Sequence, residues 1–159
     1  MSSTEDLPSL RTTADYQFGA GAGAALFPAE ADLEVRRSSS GRPQQVVATD
    51  GRIVTYGTDG RFTLGLAGGR RLLDALEAPA GRVVVGDESE PFVREGKNVF
   101  AKFVSAVDPD VRPGDEVAIV HEADGDLLGV GRAELSADAM ADFDTGMAVM
   151  VREGAVDAE

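Results

Sequence analysis

The sequence predicts an α+β protein, a small α/β-sheet unit followed by a mixed β-barrel. Three observations predict it. Short apolar runs alternate with turn signals along most of the 159 residues, the pattern of short strands rather than of a helical bundle. Nineteen glycines are spread through the whole length, which suits many tight turns. Helical spacing surfaces only in a few brief stretches. Apolar residues make up 43% of the chain, enough for a core. With seven Phe, two Tyr and no Trp, that core must rest mainly on Val, Leu, Ala and Ile.

Residues 1–10 are expected to be a flexible N-terminus, with Met1 to Leu7 polar, acidic and frayed. Thr13 to Phe27 reads as helical at both ends, with Tyr16, Phe18, Leu26 and Phe27 as its apolar face, until Pro28 stops it. Leu33–Arg37, Gln44–Thr49, Ile53–Gly57 and Phe62–Leu66 read as short strands, separated by SSSGRP (38–43), DG (50–51) and TDG (58–60). Asp50-Gly51 between two apolar-bearing runs signals a hairpin. Leu72, Leu73 and Leu76 have helical spacing, and Pro79 marks the stop.

A second set of elements begins near Arg82. Val83–Val85 reads as a buried strand, and Pro91 opens a brief helix that ends at Gly96. Val99–Val107 is extended, RPGDE (112–116) turns the chain, and Val117–Val120 is a further strand. Asp124-Gly125 turns into Leu127–Glu134, a strand interrupted by Gly129 and Gly131. Ser136 caps a helical turn through Met140 to Phe143, and Met147–Val151 alternates as a final strand. About five strands and one or two helices in this half suggest a small barrel. The expected organisation is an α+β domain over 11–80, a barrel domain over 81–154 and an acidic tail at 155–159.

Several chemistries lack their parts. Without cysteine there are no disulfides, thiolate zinc sites, iron–sulfur clusters or cysteine nucleophiles. Gly19-x-Gly21-x-x-Ala24 superficially fits a dinucleotide fingerprint but has no buried strand before it. No phosphate loop of the GxxxxGK[ST] type occurs. The single histidine, His121, is expected to be a surface residue at a turn. No enzyme activity and no cofactor or metal are therefore expected. No apolar run reaches the roughly 18 residues of a membrane span, and the N-terminus has no signal pattern, so a soluble, cytoplasmic protein is expected.

The formal charge of −13 argues at first against a nucleic-acid partner, because phosphate binding draws on basic side chains. Two lysines stand against thirteen arginines, and acidic residues abound among small ones. That is the composition of a halophilic surface, where carboxylates hold water and self-repulsion is screened within a few ångströms. The charge is also uneven: residues 1–80 carry a net −2 and residues 81–159 a net −11, while 36–71 carry a local +5.

The segments RVVVGDESEPFVREGKNVFAKFV (82–104), DPDVRPGDEVAIVHEADGDLLGVGRAELS (108–136) and DTGMAVMVREG (144–154) resemble the PUA domain of pseudouridine synthases and archaeosine transglycosylases. Upstream, ADYQFGAGAGAALFP (14–28), SSSGRP and GRIVTYGTDGRFTLGLAGGRRL (51–72) resemble the segment that precedes PUA in archaeal tRNA-guanine transglycosylase and archaeosine synthase. The resemblance covers roughly residues 11–154. The catalytic barrel and cysteine-rich zinc site of those enzymes have no counterpart here.

That resemblance implies a non-catalytic protein that binds RNA, in particular tRNA, and assists tRNA modification in the archaeosine pathway. Its implied partners are RNA and a separately encoded tRNA-modifying enzyme. The implied surface runs from Phe92 to Val104 and carries Arg94, Gly96, Lys97, Asn98 and Lys102, with Arg132 and Arg152 on later strands bordering it. The residues support it independently. Gly96 lets a backbone approach a phosphate, or simply caps a helix. Lys97 and Asn98 offer a point charge and an amide donor. Both lysines of the chain lie within six positions of Gly96. Arg36, Arg37, Arg42, Arg52 and Arg61 form a possible second RNA contact, or pair with carboxylates such as Glu88 and Glu90. The alternative function is a protein-interaction subunit that completes a split transglycosylase or archaeosine synthase.

Overall fold

The computed structural model describes residues 7–28, 33–143 and 145–155. The chain separates into two compact units, one ending at Leu76 and the other beginning at Glu77.

In the first unit, α1 (Leu7–Phe18) and α2 (Ala22–Leu26) precede four strands, β1 (Glu34–Arg37), β2 (Pro43–Ala48), β3 (Gly51–Tyr56) and β4 (Phe62–Leu64), and α3 (Leu66–Ala75) follows. The strands form one antiparallel sheet in sequence order. The segment 13–27, expected to be helical at both ends, carries two helices, separated where Gly19 and Gly21 take positive φ. Leu7–Leu10, the end of the stretch expected to be a flexible N-terminus, form the first turn of α1. Leu7, Leu10 and Ala14 recur on one helical face and are all buried, which repays ordering that turn. Residues 1–6 lie outside the described residues.

Glycine lets the helices of this unit press closely. A Cβ on Gly23 would collide with the carbonyl of Arg11, and one on Gly68 with that of Ile53, so α1 meets α2 and α3 meets β3 at backbone distance. Buried Phe27 and Phe62 pack edge to face, with ring centroids 5.8 Å apart. Gln17 reaches from α1 to the sheet edge. Its amide donates to Phe62 O at 2.7 Å and accepts from Phe62 N at 2.8 Å, so one side chain satisfies β4 as a neighbouring strand would.

The second unit holds β5 (Arg82–Val85), α4 (Glu90–Arg94), β6 (Val99–Phe100), β7 (Val104–Val107), β8 (Glu116–His121), β9 (Leu127–Ala133), α5 (Ala137–Asp142) and β10 (Met147–Gly154). Its six strands run in the order β6-β10-β9-β8-β5-β7. The α+β class and mixed barrel predicted from sequence are what the chain adopts. The two outer strands of this sheet are consecutive in the chain, so the sheet curls into a nearly closed barrel.

Val99–Val107, expected as one extended run, is therefore split by a 3-10 turn at Ala101–Phe103. Ala101 N donates to Gly146 O at 2.9 Å, tying this corner to the start of β10. β5 pairs with β8 in parallel and with β7 in antiparallel fashion, which makes the barrel mixed. Gly129 and Gly131 do not interrupt β9. They admit β10, since a Cβ at 131 would overlap Met150 O and approach Val151 Cα to 2.9 Å. Buried Ile119, Leu128, Met140 and Val149 centre the core. Ser136 caps α5, its Oγ accepting from Ala139 N at 3.1 Å. Ala155, assigned from sequence to the acidic tail, is buried and donates to Leu128 O at 2.8 Å.

Candidate nucleic-acid interface

The candidate surface is built where α4 ends and β6 begins. α4 is short because Pro91 opens it and Gly96 closes it: Gly96 N donates to Val93 O at 2.9 Å and Lys97 N to Phe92 O at 2.9 Å. Gly96 holds φ +90, and beyond its two chain neighbours nothing lies within 4 Å of where its Cβ would sit. Its glycine is thus required by backbone conformation, with open space left over it.

Lys97 follows on the exposed loop. Among the described residues it makes no ion pair, and Lys102 makes only a contact with the Phe103 ring, at 5.2 Å from its centroid. Both ammonium groups therefore face solvent. Asn98 is used inward: its Oδ1 accepts from Val151 N at 2.9 Å, which fastens the loop to β10.

Behind Lys97 lies a cavity of about 490 Å³ lined by Phe92, Lys97, Asn98, Phe100 and Phe103, with Glu88 among the polar groups. Phe92 and Phe100 are 57% and 45% exposed, unusual for rings that have a core available. Sequence reading took the lysines and missed the rings. The signal was present in PFVREGKNVFAKF, three phenylalanines interleaved with two lysines. Exposed aromatics beside cations are the parts of a single-strand stacking platform.

The other expected contacts are placed differently. The Arg94 guanidinium is 15% exposed and is spent within the protein, on Glu90 at 3.1 Å, Ala155 O at 2.9 Å and Asp126 at 2.9 Å. It clamps α4 to the end of β10, a structural use rather than a phosphate-facing one. Arg152 reaches buried Glu116 at 2.5 Å, and exposed Arg132, cross-strand from Glu116, holds half-buried Glu134 at 3.1 Å. These two border β10's outer face beside exposed Met150.

In the first unit the five arginines do not line one strip of free guanidinium groups. Arg36 pairs with Glu34 at 3.3 Å, Arg37 donates to Gly41 O at 3.0 Å, and Arg52 donates to Thr55 Oγ1 at 2.9 Å. Arg42 donates to Gly57 O and lies 4.9 Å over the Tyr56 ring. Arg61 is exposed and also has an intramolecular contact.

His121 corrects the expectation of a surface histidine. It is 8% exposed, because every residue of β8 is buried and the strand end sits beside Val85 in the parallel pairing. Its Nε2 lies 2.6 Å from Asp87 Oδ1. Burial alone lowers the imidazole pKa, but the hydrogen bond to Asp87 and the charges of Glu90, Asp87 and Asp124 outweigh that and raise it above 6.5.

Comparison with known proteins gives this architecture a class. Residues 8–79 match the patch-forming domain C2 of tRNA-guanine transglycosylase, and residues 81–155 match the PUA domain. The chain thus carries a C2 domain followed by a PUA domain. Its similarity runs to tRNA-guanine(15) transglycosylases: 49% identity over 142 residues with that of Pyrococcus furiosus, covering 89% of this chain and 23% of that enzyme. The identity is 45% over 151 residues with that of Methanothermobacter thermautotrophicus, covering 94% of this chain and 23% of the enzyme. The chain therefore spans less than a quarter of the length of these relatives. Among solved structures, a hypothetical protein of Pyrococcus horikoshii superposes with TM-score 0.76 at 22% identity, over 98% of this chain and 93% of that one. A conserved PUA domain protein from Thermoplasma acidophilum gives 0.66 at 19%, over 99% and 93%. Both likenesses are of fold.

Proposed function

We propose that the protein is a non-catalytic RNA-binding module that holds tRNA through the α4–β6 surface and assists tRNA modification, in the archaeosine pathway and in the cytoplasm. The observation that carries this reading is the pairing of solvent-facing Lys97 and Lys102 with an open aromatic cavity. The ammonium groups take phosphates, and Phe92 and Phe100 stack an unpaired base beside them. Glu88 offers an acceptor to an amino group on that base. Asn98 and Arg94 act as positioning residues, and Gly96 leaves its backbone open to the RNA. Arg132 and Arg152 bound the surface, while Arg36, Arg37, Arg42, Arg52 and Arg61 supply a weaker second contact through whatever guanidinium surface their local bonds leave. The acid-rich exterior fits a high-salt interior, where stacking outlasts charge pairing.

Crosslinking in cells followed by sequencing of the bound RNA tests this. A pool dominated by tRNA supports it, and recovery of an RNA-free protein complex overturns it. A second reading rests on coverage, since most of each related transglycosylase has no counterpart in these residues. In that reading the chain docks onto a catalytic protein and completes a transglycosylase or archaeosine synthase. Capture of such a protein that survives RNase and the substitution of both lysines favours it.

A further inference from the structure

Outside the RNA surface, one side-chain cluster has the composition and spacing of a metal site. β5 and β8 run parallel with Val85 opposite His121, so the turn leaving β5 emerges beside the end of β8. That turn carries Asp87, and Glu90 opens α4 directly after it. We propose that Asp87, Glu90 and His121 bind a divalent transition-metal ion of the zinc type, with water completing its shell.

The distances suit a single ion. His121 Nε2 lies 2.6 Å from Asp87 Oδ1 and 3.9 Å from Glu90 Oε1, and all three donor atoms lie within 4.8 Å of one another. Donors placed about 2.0–2.2 Å from one tetrahedral ion stand roughly 3.4 Å apart, so small rotations of the carboxylates suffice. The imidazole needs no ordering. Its side chain is 9% exposed, and its backbone is held by His121 N to Asp126 O at 3.0 Å and by Gly125 N to His121 O at 2.8 Å.

Outer contacts complete the case. Glu90 Oε2 accepts from Arg94 Nε at 3.1 Å, which leaves Oε1 turned toward the histidine. On the far side of the ring Nδ1 takes a long contact of 3.3 Å from Ala123 N, with Asp124 Oδ1 at 3.7 Å. When the ion takes Nε2, the ring proton moves through solvent from Nε2 to Nδ1, the long Ala123 N–H contact gives way, and Nδ1 donates to Asp124 instead. Two carboxylates balance a divalent charge, and one imidazole nitrogen selects a borderline ion over magnesium or calcium. The bound ion pins the start of α4, and hence Phe92, to the end of β8.

Calorimetric titration of the chelator-treated full chain with zinc chloride, in excess magnesium chloride to occupy unspecific carboxylates, tests the site. One saturable zinc per chain is expected. Asp124→Asn should weaken it about tenfold or more, and Asp87→Asn further still. His121→Gln should abolish it, together with the zinc-induced shift of the imidazole nitrogen resonances. Since His121→Gln removes a buried side chain, Asp87→Asn is the decisive variant: that carboxylate is 92% exposed, so its isosteric replacement disturbs no packing. No saturable zinc binding above the magnesium background means a plain histidine–carboxylate pair and overturns the proposal. Binding unchanged in Asp87→Asn and His121→Gln overturns it as well, placing zinc elsewhere on the acidic surface.

Discussion

Replacing Lys97 and Lys102 together by alanine removes two cations of the second unit that face solvent without a carboxylate partner among the described residues. If each neutralises one phosphate, the slope of log binding constant against log salt should become shallower by about 1.4–1.8, between the single-strand and duplex values for two contacts. At about 0.2 M salt this corresponds to a loss of roughly tenfold to twentyfold, and near 1 M the variant and the parent should converge. Phe92→Ala should behave oppositely, weakening binding by about 1–3 kcal/mol at every salt concentration, because stacking releases no counterions. Fluorescence anisotropy with labelled tRNA across a salt series measures both. A lysine variant with unchanged slope would refute the assignment of these ammonium groups to phosphates. A Phe92→Ala loss that vanishes at high salt would refute the stacking assignment.

Three further outcomes follow from the same geometry. Arg94→Ala should destabilise the second unit by about 2 kcal/mol in urea denaturation, having lost its charged and carbonyl partners, yet leave the salt slope of RNA binding intact; a slope reduced by about 1 would make Arg94 a phosphate contact instead. Gly131→Ala should lower stability by about 3 kcal/mol, because its methyl group has no room against the backbone of β10, and an unmoved denaturation midpoint would contradict that packing. In metal-free protein the raised pKa of His121 means the folded state holds the proton more tightly than the unfolded chain. Its contribution is fully present below about pH 6.5 and is lost as pH rises through the folded value. Denaturation across pH should therefore show a decline that His121→Gln flattens, and an identical profile in the variant would contradict it.

What sequence reading reached and what it missed divide by distance along the chain. The Asp50-Gly51 hairpin, the Ser136 cap and the closure of α4 at Gly96 are local, and each stands as read. The exposed lysines were legible too, since lysine is so scarce here that its clustering draws notice. The intramolecular bonds of Arg94 to Asp126 and Ala155 were not legible, because those partners lie 32 and 61 positions away. His121 was misread because its burial comes from a parallel strand pairing that no local pattern records. The split of Val99–Val107 was invisible because its cause is closure of the sheet, not a glycine or proline within the run. The opposite error occurred at Gly129 and Gly131, where a breaker residue was read as a break although it serves an approaching strand.

That split segment also governs how the second unit behaves among copies of itself. By feeding both margins of that unit's sheet with strands of only two and four residues, residues 99–107 leave it short edge rows of amide and carbonyl groups to offer a foreign strand. Where concentrated salt mutes the mutual repulsion of acidic surfaces, charge no longer keeps neighbours apart. In this unit resistance to clumping then falls to edges too short to recruit a foreign strand, a safeguard written in topology and indifferent to ionic strength.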